Sequence, residues 1–248
     1  MPLFQAKAIV LDVEETCFSA LKPFVYLGLT KGYFPSLQEK IPQFLNHEEQ
    51  ELFKAYDGYP KRQHSFLLGR YTAKKTLSLF LRADPLDFTI RNGWMGEPWI
   101  FPCQAFVSLA HSGDSAVALI SDVGVTCGVD IEQKAHFDSF FPFEETNPDL
   151  QHIKRITPWD KATCQGALWT AQESFGKYFK MGLLAGQTCF QLSEMVFEQG
   201  VLSLFYKAFP KLSTAIFLEK TALIAVTTPF DMPSCNKETA VKRVLKTF

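Results

Sequence analysis

From Lys61 to Leu81 the apolar side chains Phe66, Leu67, Tyr71, Leu77 and Leu81 return roughly at helical spacing, which predicts one long helix. Ahead of it, Asn46 followed three residues later by Glu49 has the form of a capping box, in which each side chain satisfies a free backbone N–H of the other residue. That shorter helix should run to about Tyr56 and stop at Asp57-Gly58-Tyr59-Pro60. Downstream the pattern changes to short apolar runs. Phe106–Ala110 and Ala116–Ile120 flank His111-Ser112-Gly113-Asp114, two strands around turn chemistry. Asp87–Ile90, Phe190–Phe197 and Val201–Thr227 are also strand-like, and Trp169–Lys177 is helical. The stretch Lys134–Asp160, with Pro142, Pro148 and Pro158, reads as a loop or irregular helix, and the chain from Pro229 on as a peripheral tail or short closing element.

A weak internal repeat organises these elements. Ala8–Glu14 and Thr126–Glu132 each read as a strand ending in Asp-x-Glu. Phe66–Lys74 and Trp169–Lys177 match as helices, which sets Arg70 against Glu173 and Lys74 against Lys177. Strand-like text follows each helix. The expected fold is therefore α+β, two half-units related by a pseudo-twofold, residues 1–122 and 123–248, with a cleft between them. A length of 248 residues suits two fused half-size units or one elongated domain.

Composition narrows the function. With 25 Lys+Arg against 26 Asp+Glu the net charge is −1, so the electrostatic excess that non-specific nucleic-acid binding needs is missing. Charges at Lys7, Asp12, Glu14 and Glu15 interrupt any secretory h-region, and no apolar run approaches membrane-spanning length. The six cysteines (Cys17, Cys103, Cys127, Cys164, Cys189, Cys235) form no CxxC pair, which points to reduced thiols in a cytoplasmic protein. The 24 phenylalanines suit either thick aromatic packing or an apolar docking surface.

Candidate chemistry concentrates in four places. Asp130 and Glu132 lie two apart on a strand and so point to one face about 7 Å apart along the chain, a hard-cation site in outline or a solvated strand end. Glu173 and Lys177 share a helix face, a surface salt bridge by default, but apolar Leu168, Trp169, Phe175, Tyr178 and Phe179 around them call for a specific partner. A third carboxylate facing Asp130 and Glu132 across a divalent ion would be one. His111 and Ser112 with turn amides could form an anion nest, and Lys61, Arg62, Arg70, Lys74 and Lys75 are either a solvated helix face or a second phosphate site.

Gly128-Val129-Asp130-Ile131-Glu132 and Trp169-Thr170-Ala171-Gln172-Glu173-Ser174-Phe175-Gly176-Lys177 resemble, in order and separation, the signature motifs (V/I)-G-(V/I)-D-(I/V)-E and W-x-x-K-E-(S/A)-x-x-K of the 4'-phosphopantetheinyl transferases. Phe106–Asp114 is similar to that family's segment ending in S-H-S-G, Gly96-Glu97-Pro98 to its G-K-P, and Lys61–Lys74 to the R-x-x-x-F-L-x-G-R-x-x-A-K stretch of the larger surfactin-synthetase-activating (Sfp) type. The resemblance implies a pseudo-dimeric monomer that binds coenzyme A between its halves. It assigns Mg²⁺, with Mn²⁺ as the alternative, to Asp130, Glu132 and Glu173. Lys177 and His111 would contact phosphates, with Ser112 in the same segment. Lys61, Arg62 and Arg70 are candidates for the adenosine 3'-phosphate end. A serine of an apo acyl or peptidyl carrier protein would attack the β-phosphorus, releasing 3',5'-ADP, with Glu173 as base and Lys177 neutralising charge. Asp12 and Glu14 would be structural relics of the duplication.

Three positions depart from the family pattern: Gln172 for Lys, Ala110 for Ser, and Glu97 for Lys. Each removes a donor or a positive charge, which motivates one alternative, a relative that binds coenzyme A or a carrier without transfer; a further alternative is a metal-dependent phosphoanhydride hydrolase using water in place of serine. Phe137, Phe140, Phe141 and Phe143 are candidates for docking a carrier helix, or else for the core.

Overall fold

The structure, a computed structural model, describes residues 16–22, 25–102, 105–122, 124–137, 143–182, 189–219 and 222–229. The expected strand at Ala8–Glu14, Phe140, Phe141 and the tail from residue 230 lie outside the described residues. The rest falls into two compact units, the first running to Val125 and the second beginning at Thr126.

Among its described residues the first unit begins with β1 (Thr16–Lys22) and β2 (Val25–Lys31), an antiparallel pair in a stretch without a predicted element. Three short helices follow, α1 (Phe34–Glu39), α2 (Ile41–Phe44) and α3 (His47–Lys54). The Asn46–Glu49 capping box opens α3 with both of its hydrogen bonds formed. The long helix α4 spans Pro60–Leu81. The expected break lies between α3 and α4, and Pro60 itself sits in the first turn of α4, where its missing N–H has no intrahelical partner to lose. After a small hairpin, β3 (Thr89–Asn92) and β4 (Pro98–Phe101), come β5 (Ala105–Ser112) and β6 (Ser115–Asp122). β1, β2, β6 and β5 form one antiparallel sheet in that order. Leu67, Leu68, Tyr71, Ala73 and Leu77 of α4 are buried in two adjoining clusters with residues of the short helices, the hairpin and the sheet.

The second unit follows the same recipe of one antiparallel sheet and one long helix. Its strands are β7 (Gly128–Gln133), β8 (Leu192–Glu198), β9 (Val201–Tyr206), β10 (Leu212–Leu218) and β11 (Ala222–Pro229), in the order β7-β11-β10-β9-β8. The region expected to be irregular contains a regular helix, α5 (Pro148–Ile156), because Asn147 caps it by accepting from the Leu150 N–H. The long helix α6 covers Lys161–Tyr178, capped by Asp160. Phe175 is the hub of its core, in ring contact with Phe179, Phe190, Tyr206 and Phe209. Phe137 belongs to the same core and Phe143 packs against it, so at these two positions the sequence's choice between docking and packing falls to packing.

Candidate active site

β7 carries Asp130 and Glu132 on one face, and α6 carries Glu173 and Lys177 one turn apart. Strand and helix approach closely because residue 128 is glycine: a Cβ there would lie 1.9 Å from the Ser174 carbonyl oxygen and 2.7 Å from the Tyr178 nitrogen. Any larger residue would lift α6 off β7 and separate the two motifs.

Across this contact the Lys177 Nζ donates to Asp130 Oδ1 at 2.6 Å. The surface Glu173–Lys177 salt bridge that the i,i+4 spacing offered is not formed, since the ammonium finds the more deeply buried carboxylate. Asp130 is only 6% exposed, and its carboxyl is pushed up to about 6. Burial is the largest cause; Lys177 opposes it by charge and hydrogen bond, and the charges of Glu173 and Glu132 push further in burial's direction. Two further carboxylates thus act on Asp130 against the ammonium of Lys177. Glu132 in turn meets His136 Nδ1 at 2.7 Å, a partner for which the sequence carries no signal because the two are joined by a strand end rather than a helix. Among the described residues no three His, Cys, Asp or Glu side chains are gathered tightly enough to ligate an ion as they stand.

The first unit holds the other expected residues. His111 is exposed near the end of β5, whereas Ser112, assigned with it to an anion nest, is buried. The turn beyond them is tied down by a residue the sequence reading passed over: His64 of α4 meets the Gly32 carbonyl at 3.1 Å and lies 3.7 Å from Asp114. Lys61 and Arg62 are exposed in the first turn of α4, Arg62 over the Tyr56 ring. Arg70 differs from them. Its guanidinium is buried, 3.7 Å from Glu49 and over the Phe66 ring, so a phosphate arriving from solvent would have to displace packed side chains to reach it. Lys74 is likewise buried, paired with Glu49, and Lys75 lies over the Tyr71 ring. Glu97, which the sequence presents as a misplaced negative charge, staples the β3–β4 turn by accepting from the Met95 N–H at 2.9 Å and the Trp99 indole N–H at 2.8 Å.

No family model matches the chain. Holo-[acyl-carrier-protein] synthases of three Streptococcus agalactiae strains, serotypes III, V and Ia, are each 35% identical to it over 102 residues, which is 38% of this chain and 84% of theirs. A solved holo-(acyl-carrier-protein) synthase from Bacillus anthracis, in complex with CoA (3',5'-ADP), is 22% identical over 39% of this chain and 92% of that one, with a TM-score of 0.36, too weak a likeness to speak for this chain. The identity to the streptococcal synthases over most of their length, together with the two motifs that the glycine contact brings face to face, places the chain in the 4'-phosphopantetheinyl transferase superfamily.

Proposed function

We propose that the protein transfers the 4'-phosphopantetheine arm of coenzyme A to a serine of an apo acyl or peptidyl carrier protein, with Mg²⁺, and releases 3',5'-ADP. The observation that carries this reading is the Asp130–Lys177 contact, which joins the two family motifs around a buried carboxylate with further negative charge beside it. Phosphoryl-type transfer asks little covalent chemistry of a protein and much positioning and charge. Lys177 already lies where an ammonium can leave Asp130 for a phosphate oxygen, since it is 26% exposed while Asp130 is 9% by side chain. The serine oxygen would form its bond to the β-phosphorus as the bridging oxygen departs with its electron pair on 3',5'-ADP, and the serine proton would pass to Glu173, which is half-buried on the same helix.

The surplus of carboxylate over ammonium at Asp130 suits a hard divalent ion, and Asp130, Glu132 and Glu173 would hold it. Bound there, Mg²⁺ would supply positive charge to the pyrophosphate. In the first unit, His111, Lys61 and Arg62 are the accessible candidates for further phosphate contacts, whereas Ser112 and Arg70 are buried. The two-unit chain, with a long helix in each, supports the larger surfactin-synthetase-activating class and a monomer made of residues 1–122 and 123–248. A cytoplasmic setting agrees with the scattered cysteines, and no described helix is long and apolar enough to cross a membrane.

The test is intact mass of a panel of apo carrier proteins after incubation with the protein, coenzyme A and Mg²⁺. A phosphopantetheine-sized gain that EDTA abolishes is expected. Coenzyme A binding with no gain on any carrier would favour the binding-only alternative, which rests on Gln172, Ala110 and Glu97. Release of 3',5'-ADP without a carrier would favour a hydrolase.

A further inference from the structure

We propose that a one-way chain of buried hydroxyls in the second unit, Tyr206–Thr214–Thr227–Ser174, positions Lys177 on Asp130, with Thr227 as its central link; the kinetic part of the proposal rests on the transferase reading. Ser174 Oγ donates to the Gly128 carbonyl at 3.1 Å and lies 2.9 Å from Thr227 Oγ1. Thr227 Oγ1 is 2.7 Å from Thr214 Oγ1, which hydrogen-bonds the Tyr206 phenol. All four residues are fully buried.

The direction of the chain follows from its end. A carbonyl only accepts, so the Ser174 proton is committed to Gly128. Thr227 must then donate to Ser174, Thr214 to Thr227, and Tyr206 to Thr214. Burial pushes the Tyr206 phenol well above its ordinary value, which keeps the first donor protonated. Every proton has one acceptor, and the orientation of each hydroxyl is set by the next.

What the chain connects gives it a role. Thr227 faces Gly128 in the β11–β7 pairing and Thr214 in the β10–β11 pairing, while Tyr206 ends β9. The hydroxyls therefore cross three neighbouring strands, β9, β10 and β11, reach α6 at Ser174 and end on the Gly128 carbonyl of β7. Both ends of the last bond belong to the site: Gly128 stands two residues before Asp130, and Ser174 stands between Glu173 and Lys177. Ser174 and Lys177 are three apart and share a helix face, so fixing Ser174 over Gly128 sets the height and rotation at which Lys177 reaches Asp130. Apolar packing alone would hold helix on sheet but would tolerate small rotations; a directional network does not. Ser174, Thr227, Thr214 and Tyr206 are positioning residues, since none of them touches the reacting groups.

Thr227→Val keeps the shape but leaves Ser174 without its donor and the Thr214 proton without its acceptor. Expected is a loss of about tenfold in kcat, with KM for coenzyme A within about twofold of wild type, because a sub-ångström misplacement acts on the transfer step. Thr227→Ser restores the hydroxyl and should return kcat to within about threefold. Independently of turnover, the ¹⁵N resonance of the hydrogen-bonded Lys177 ammonium should be present in wild type and Thr227→Ser and shifted or lost in Thr227→Val. If the wild type itself transfers nothing, the functional reading fails and the Lys177 resonance alone decides the positioning role. A folded Thr227→Val protein with wild-type kcat and an unmoved resonance overturns it, however far its melting temperature falls. Should Thr227→Val not fold, Tyr206→Phe removes only the far donor while keeping the ring against Phe175 and Phe190; an unchanged Lys177 resonance there overturns the proposal equally.

Discussion

Each long helix carries a lysine that meets a carboxylate from elsewhere in its unit, and the two pairs have opposite characters. In the first unit Lys74 is completely buried and bonded to Glu49, itself completely buried, and donates to the Phe88 carbonyl at 2.5 Å. Glu49 also accepts from the Ile90 N–H at 3.0 Å and the Asn46 N–H at 3.4 Å, and Arg70 stands 3.7 Å away. One negative and two positive groups, every carboxylate oxygen engaged, weld α3, α4 and β3 together. In the second unit Lys177 keeps a quarter of its side chain in solvent, and Asp130 has two more carboxylates acting on it. The sequence repeat aligns Lys74 with Lys177 and Arg70 with Glu173, so exchanging a single helical residue from cation to anion reverses the surplus charge. Burial plus balanced partners makes a structural knot; partial exposure plus unbalanced charge makes a site that can bind.

The contrast can be broken most forcefully at the knot. Lys74→Met removes one partner of a fully buried pair and strands Glu49, which should cost about 3–5 kcal/mol of stability. Chemical denaturation of the variant measures this; a loss below about 1 kcal/mol would mean that the pair is not the weld described.

At the site the expected sign is the opposite. Burial raises Asp130 to about 6 from an ordinary 3.8, so the folded protein holds that proton more tightly than the unfolded chain. The carboxyl contributes stability that is fully present below pH 3.8 and is lost as the pH rises through 6. Metal-free Asp130→Asn should therefore melt a few degrees above wild type at pH 8, with the gap closing towards pH 4. Melting curves across that range check it, and a variant that is less stable at pH 8 would contradict it.

Divalent-ion binding should sharpen the same feature. Because the ion needs the carboxylate form, Mg²⁺ or Mn²⁺ affinity measured by calorimetry should fall by up to about tenfold for each pH unit below 6. An affinity flat from pH 5 to 8 would remove Asp130 from the ligands. The smallest effect belongs to an exposed pair of the first unit: Arg91→Ala breaks a two-bond contact with Glu48 at 2.8 Å each, and the melting temperature should stay within about 1 °C.

Much of this is legible in the sequence. The capping box at Asn46, the long helix after Lys61, the hairpin around His111 and the two motifs all rest on local rules of spacing and turn chemistry, which a sequence displays directly. What stayed hidden depends on partners far along the chain. Lys74 and Arg70 look like a basic helix face until Glu49, 25 and 21 residues away, is seen to share their interior. The α4 segment Leu67–Lys74 is buried on every side, so its apolar spacing is loose and gives no warning. Glu97 reads as a lost lysine, yet two hydrogen bonds within its own turn account for it. β1 and β2 alternate too weakly to announce strands in the sequence; the pairing of β2 with β6, and of β1 with β2, decides them.

The most direct measurement is carrier phosphopantetheinylation per folded molecule, read by intact mass beside melting curves, for Lys177→Met and Lys74→Met in parallel. Lys177→Met should fold and lose at least about 100-fold in transfer, as removal of a transition-state cation does, while Lys74→Met should be strongly destabilised yet transfer at near wild-type rate where it remains folded. A Lys177→Met protein that transfers normally, or a Lys74→Met protein that melts like wild type and transfers nothing, would contradict the division between knot and site.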